Sequence, residues 1–136
     1  MAKVDPSLIS LNRCFLTARL MKEHLTNPAM NPDFIRDLSA GERAYIRGYY
    51  GNLFYSLFYV VIEGWEEMHL QDEKINDILK NRPYVKSLKR FRNANFHFQN
   101  ELLGEKLLNF LELPNSKAWI DELWNEFNRF FRVCIK

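Results

Sequence analysis

A chain of 136 residues can bury one core of its own and is short for two, so residues 1–136 are read as a single domain. Its 26% charged and 47% apolar residues are ordinary for a soluble globular protein, and a net charge of only +2 means that any strong basic character must be local. Eleven Phe, six Tyr and three Trp make it rich in aromatic rings, which have to fill a core, an interface or both.

At the N-terminus, Asp5-Pro6 precedes the first apolar run and Asn12-Arg13 interrupt it, which is not the pattern of a cleaved signal. Asp5-Pro6-Ser7 instead reads as a helix start. Leu8, Leu11, Phe15, Ala18 and Met21 recur at helical spacing as far as about Leu25. Asn27-Pro28 and Asn31-Pro32 break that helix, and Phe34, Ile35 and Leu38 are expected to pin the following loop in a short helical turn.

Ser39 and Glu42 have the spacing of a capping box, so a new helix is expected from Gly41 to about Met68. Between Tyr45 and Trp65 it is apolar nearly all round, as in the central helix of a bundle. Its longest uncharged run, Gly48 to Ile62, is fifteen residues, short of the roughly 20 that a membrane span needs, and no membrane partner is expected. Asn52, Ser56, Tyr59 and Glu63 place one polar stripe along this helix, which either faces solvent or lines a cleft. Gly48, Gly51 and Gly64 weaken the helix, and close approach of another helix would explain them.

A short helix is expected over Asp72 to Leu79, and Pro83 opens another in which Tyr84, Leu88 and Phe91 face inward. A turn of helix should start again near Asn93 or Asn95, with Leu102, Leu103, Leu107, Phe110 and Leu111 forming an apolar stripe up to Pro114. Asn115-Ser116 then caps a last helix carrying Ile120, Leu123, Phe127, Phe130 and Cys134, widened by Trp119, Trp124 and Phe131. No strand pattern or repeat is present, so the expected fold is all-α, a bundle of about five to six helices around a long aromatic-rich central helix. Cys14 and Cys134 stand at opposite ends with no spacing suited to zinc or to a disulfide framework, so a reducing cytoplasm is expected, without metal or cofactor.

Charge is concentrated in one place. From Lys80 to Arg92 there are six basic residues, Lys80, Arg82, Lys86, Lys89, Arg90 and Arg92, and no acid. Arg82, Lys86, Lys89 and Arg90 line an outer helix face and are the candidate RNA-binding residues. At the end of this stretch Arg92, Asn93 and His97 bring together a guanidinium that forks onto phosphate, an amide and an imidazole that titrates near neutrality. In one unbroken helix Arg92 and His97 would lie about 140° apart, whereas a helix start between them lets both turn toward one crevice. His97 between Phe96 and Phe98 can equally be a packed core histidine. His24 and His69 read as ordinary surface residues.

Arg92-Asn93-Ala94-Asn95-Phe96-His97 resembles the arginine, polar residue, three-residue spacer and histidine signature of the HEPN superfamily, the higher eukaryotes and prokaryotes nucleotide-binding domains. The all-helical pattern, with a long aromatic helix before the motif and a helix after it, extends that resemblance over most of the chain. The resemblance implies a metal-independent endoribonuclease that dimerises with the two motifs facing each other, often a toxin paired with a nucleotidyltransferase-type antitoxin. It would make Arg92 the holder of the scissile phosphate, His97 the acid-base residue and Asn93 the motif's polar position, with Glu63 or Tyr59 as support from an earlier helix. The superfamily also includes members that bind without cutting, so a non-catalytic helical module for RNA, a nucleotide or a protein partner is the alternative expectation.

Overall fold

The computed structural model describes residues 3–27, 33–95 and 105–135. His97 lies outside the described residues, as do Pro28, Asn31, Pro32, Leu102 and Leu103 and the side chains of Phe34, Ile35 and Leu107. Among the described residues there are six α-helices, one 3-10 turn and no strand.

Asp5 accepts a hydrogen bond from the Ser7 N–H at 2.8 Å, and Pro6 opens α1, Pro6–Thr26. Such a cap satisfies an N–H that the first turn leaves without a helical partner. Leu11, Phe15 and Ala18 are buried along one face. A 3-10 turn, Asp33–Asp37, occupies the place of the expected short helical turn.

Ser39 then caps α2, Ala40–Glu67: its hydroxyl oxygen accepts from the Glu42 N–H at 3.2 Å and donates to the Glu42 carboxylate at 3.0 Å. α1 runs antiparallel to α2, since Leu11 approaches Gly64 and Leu25 approaches Gly51. That geometry corrects the expectation of a core helix from Tyr45 onward. Cover by α1 ends near Gly51, so Tyr45 and Tyr49 are 63% and 53% exposed, and burial begins at Gly51. It also sorts the glycines. A Cβ on Gly64 would meet Leu11 Cδ1 at 2.6 Å and one on Gly51 would make ordinary contact, but one on Gly48 would meet nothing among the described residues, none of whose helices therefore accounts for Gly48 by close approach.

α3, Glu73–Leu79, is capped by Asp72, whose carboxylate accepts from the Ile75 N–H at 3.1 Å. α4, Arg82–Asn95, has Pro83 in its first turn and buries Val85, Leu88, Phe91 and Ala94. Of the two expected restarts, the one at Asn93 does not occur, because α4 continues unbroken through Asn95, and a start just after Asn95 would lie outside the described residues. The Asn93 side chain accepts from Arg92 Nε at 2.9 Å, while Ala94 is buried and Asn95 bonds across to α2, so packing holds these residues in the helix.

α5, Glu105–Glu112, contributes the fully buried Phe110. α6, Ser116–Cys134, buries Trp119, Ile120, Leu123, Trp124, Phe127 and Phe131. Asn115 precedes it in a left-handed conformation (φ 62°) and makes no side-chain cap, contrary to expectation; its carbonyl accepts from Trp119 N at 2.9 Å. A short polar residue tolerates that conformation better than most.

The core is largely aromatic. Phe15 packs on Trp124 with ring centres 4.4 Å apart, and Phe127 meets Phe58 and Trp65 edge-on at 5.8 and 5.5 Å. Tilted and edge-on contacts of this kind are worth about 0.5–1.5 kcal/mol each beyond the area they bury. α2 is the central element, flanked by α1, α4 and α6. Among the described residues no helix is long and apolar enough to cross a membrane.

Candidate functional site

From Ser56 to Glu63 the polar stripe of α2 is turned toward α4. Ser56 is fully buried and Tyr59 is 5% exposed, and both lie against the C-terminal half of α4. The helices are antiparallel here, because α2 residues of rising number meet α4 residues of falling number. Asn95 Nδ2 donates to Ser56 Oγ at 3.0 Å, Arg92 Nη2 to Glu63 Oε2 at 3.0 Å, and Arg82 Nη1 to Glu66 Oε1 at 2.5 Å.

Arg92 is the best-held cation of this seam. Its guanidinium carbon stands 4.8 Å from the centre of the Tyr59 ring, its Nε donates to Asn93 at 2.9 Å, and its side chain is 19% exposed. A guanidinium over a ring face gains from the ring's quadrupole as well as from the carboxylate. Nη1 has no hydrogen-bond partner among the described residues and remains able to donate. Burial raises the Tyr59 pKa above its ordinary 10.0, the Glu63 carboxylate raises it further, and Arg92 opposes both. Tyr59 is therefore a neutral phenol across the physiological range.

Arg92, Asn93, Glu63 and Tyr59, singled out from the sequence, are thus brought together. No family model, curated protein or solved structure matches this chain.

The four expected RNA-binding residues separate into two groups. Lys86, Lys89 and Arg90 are exposed and make no ion pair among the described residues. Arg82 is drawn to the other flank by Glu66 and also donates to the Leu79 carbonyl at 3.4 Å. Glu66 continues the stripe three residues beyond Glu63, so the periodicity that singles out Glu63 also carries Glu66. The Ser56–Asn95 bond has a weaker signal: Ser56 lies on the stripe, but Asn95 has the residue type of a helix cap.

Arg82 and Glu66 border a cleft of about 320 Å³ that also touches His69 and Lys80, with Lys80 paired to Asp77 at 3.4 Å. His69 is exposed and left-handed (φ 52°) just after α2, where the Leu70 N–H reaches back to the Trp65 carbonyl at 3.2 Å and closes the helix end. His24 is not an ordinary surface residue. Its ring stacks on Tyr50 at 5.0 Å and its Nδ1 is enclosed without a hydrogen-bond partner among the described residues. Among those residues no group of three or more His, Cys, Asp or Glu is placed to hold a metal ion.

Proposed function

We propose that this chain is a metal-independent endoribonuclease of HEPN type. The observation that carries the proposal is the seating of Arg92 against Glu63 and Tyr59 at the end of α4, with Nη1 left to donate and His97 five residues farther along the chain. A guanidinium fixed on three sides meets a phosphate with little orientation left to lose.

In this mechanism His97 takes the proton of the 2′-hydroxyl, whose oxygen attacks the adjacent phosphorus. Arg92 offsets the charge that develops on the phosphate oxygens, and the 5′-oxygen leaves with a proton, giving a 2′,3′-cyclic phosphate. One imidazole cannot stand on both sides of the scissile bond, so a symmetric homodimer supplies the second His97. Cys14 and Cys134, both free thiols, suit a cytoplasmic setting, and a nucleotidyltransferase-type antitoxin is the partner that a toxin of this class would have.

A second reading has its own observation. The Arg92 charge is already matched by Glu63, as in a strut between two helices, and such a strut suits a non-catalytic module that binds RNA, a nucleotide or a protein through Lys86, Lys89 and Arg90. Incubation of the purified chain with single-stranded RNA and a chelator separates the two. Cutting that leaves cyclic-phosphate ends and is lost in both Arg92→Ala and His97→Ala supports the enzyme. RNA binding without cutting by the wild-type chain supports the module.

A further inference from the structure

The two flanks of α4 carry opposite electrostatic characters. Toward α2, Arg82 and Arg92 are each matched by a carboxylate. Away from it lies a groove of about 460 Å³, open to solvent and lined by Pro83, Lys86, Ser87 and Arg90 of α4 with Asn109 of α5 and Leu113 just beyond it. This volume falls among the clefts of about 300–1,000 Å³ that hold small ligands. Among the described residues no carboxylate lines it.

Lys86 and Arg90 are four residues apart on one helix, so they stand one above the other on the same face. Like charges in that position repel, and among the described residues no acid relieves them. The Ser87 hydroxyl and the Asn109 amide add neutral donors, while Pro83 and Leu113 close the groove with apolar surface. The walls are tied together at one end: the Tyr84 hydroxyl donates to the Pro114 carbonyl, and the Tyr84 ring stacks on Trp119 at 5.2 Å. Beneath Lys86 and Arg90, α4 is anchored by the buried Val85, Leu88 and Phe91. The result is a concave, braced cation pair with hydrogen-bond donors and no counter-charge among the described residues, which is the chemistry that recognises a phosphate group.

We propose that this groove is a phosphate-binding site distinct from the seam that holds Arg92. Lys86 and Arg90 hold the phosphate oxygens, and Ser87 and Asn109 donate to those that remain. Arg90 and Arg92 are about 160° apart around the helix, so the two sites take different phosphate groups. The phosphate can belong to an RNA strand or to a free nucleotide, and the groove stands whether or not the chain cuts RNA.

Calorimetric titration of the full chain with inorganic pyrophosphate and, separately, with a short single-stranded oligoribonucleotide tests the proposal. Lys86→Ala and Arg90→Ala should each weaken binding about tenfold, whereas Arg19→Ala, the same loss of charge at an exposed position of α1 outside the groove, should cost less than about threefold. Ser87→Glu, which puts an anion into the groove, should abolish binding, and Lys86→Arg should retain it, with circular dichroism reporting the fold of each variant. Groove-dependent binding of pyrophosphate identifies a free phosphate as sufficient, and groove-dependent binding of the oligoribonucleotide alone identifies the strand as the source. Equal losses in Lys86→Ala and Arg19→Ala, indifference to Ser87→Glu, or no binding of either probe by the wild-type chain would overturn it. Groove-dependent binding by a chain that never cuts RNA would sink the ribonuclease reading and leave the groove standing.

Discussion

Arg92 and Glu63 lie 29 residues apart in the chain and 3.0 Å apart in space, with side chains 19% and 35% exposed. Glu63 therefore does two opposing things, fixing the guanidinium in place while cancelling part of its charge. Glu63→Gln keeps a carbonyl oxygen for Arg92 and removes the countercharge. It should tighten RNA binding in a filter assay and slow cutting, because the phosphate gains a stronger but less well-aimed cation. Stability should fall by no more than about 1 kcal/mol in urea unfolding, since water already screens the pair. Weaker RNA binding in Glu63→Gln would contradict this account.

Ser56 and Asn95 form a second link between α2 and α4, with the serine fully enclosed. Ser56→Ala should cost about 1–2 kcal/mol, because the Asn95 amide loses its acceptor in a part-buried position. Asn95→Ala should cost a similar amount. The double variant should cost less than the sum of the two, and strict additivity in denaturant melts would show that the bond contributes nothing.

The glycines of α2 should respond differently to alanine. Gly48→Ala meets open space and Gly51→Ala makes ordinary contact with Leu25, so each should stabilise the chain by about 0.5–1 kcal/mol through helix propensity. Gly64→Ala drives a Cβ to 2.6 Å from Leu11, a 5% exposed core residue, and the displaced side chain should cancel the gain or reverse it. Melting temperatures of the three variants provide the test.

Asp72 gives a pH dependence with a definite sign. Burial pushes its carboxyl upward, but hydrogen bonds from Arg129 at 2.8 and 2.9 Å and from the Ile75 N–H outweigh that and hold its pKa below the ordinary 3.8. The carboxylate therefore contributes stability above pH 3.8, and the contribution disappears as pH falls through the lowered folded value. Asp72→Asn should cost about 0.5–1 kcal/mol at neutral pH, a modest figure because the Arg129 side chain is 41% exposed. The two melting curves should converge toward strongly acidic pH; a constant gap would place the effect in helix capping alone.

What could be read from the sequence was what local chemistry decides. Asp5-Pro6, Ser39 with Glu42, and Asp72 each mark a helix start through bonds made within three residues, and each helix begins there. The stripe that pointed to Tyr59 and Glu63 was also legible, because helical period alone puts those residues on one line. Its orientation was not, since only the course of α4 shows that the line is covered. Asn93 looked like a cap because asparagine often is one, but the burial of Ala94 and the bond from Asn95 to Ser56 keep α4 intact. Arg82 looked like part of a basic ridge because its partner, Glu66, lies sixteen residues earlier and has no local signature.

The polar links between α2 and α4 also bear on how the bundle finds its alignment. Two helices joined only by Val85, Leu88 and Phe91 against apolar side chains could slide past each other by a full turn, about 5.4 Å, and still bury oil against oil. Ser56, Glu63 and Glu66 forbid that slip, since it would separate them from Asn95, Arg92 and Arg82 together. They act as notches on a vernier: each is weak alone, and all three coincide at one setting. The serine and the two carboxylates would thereby select a single register for a pair of helices whose greasy surfaces leave several open.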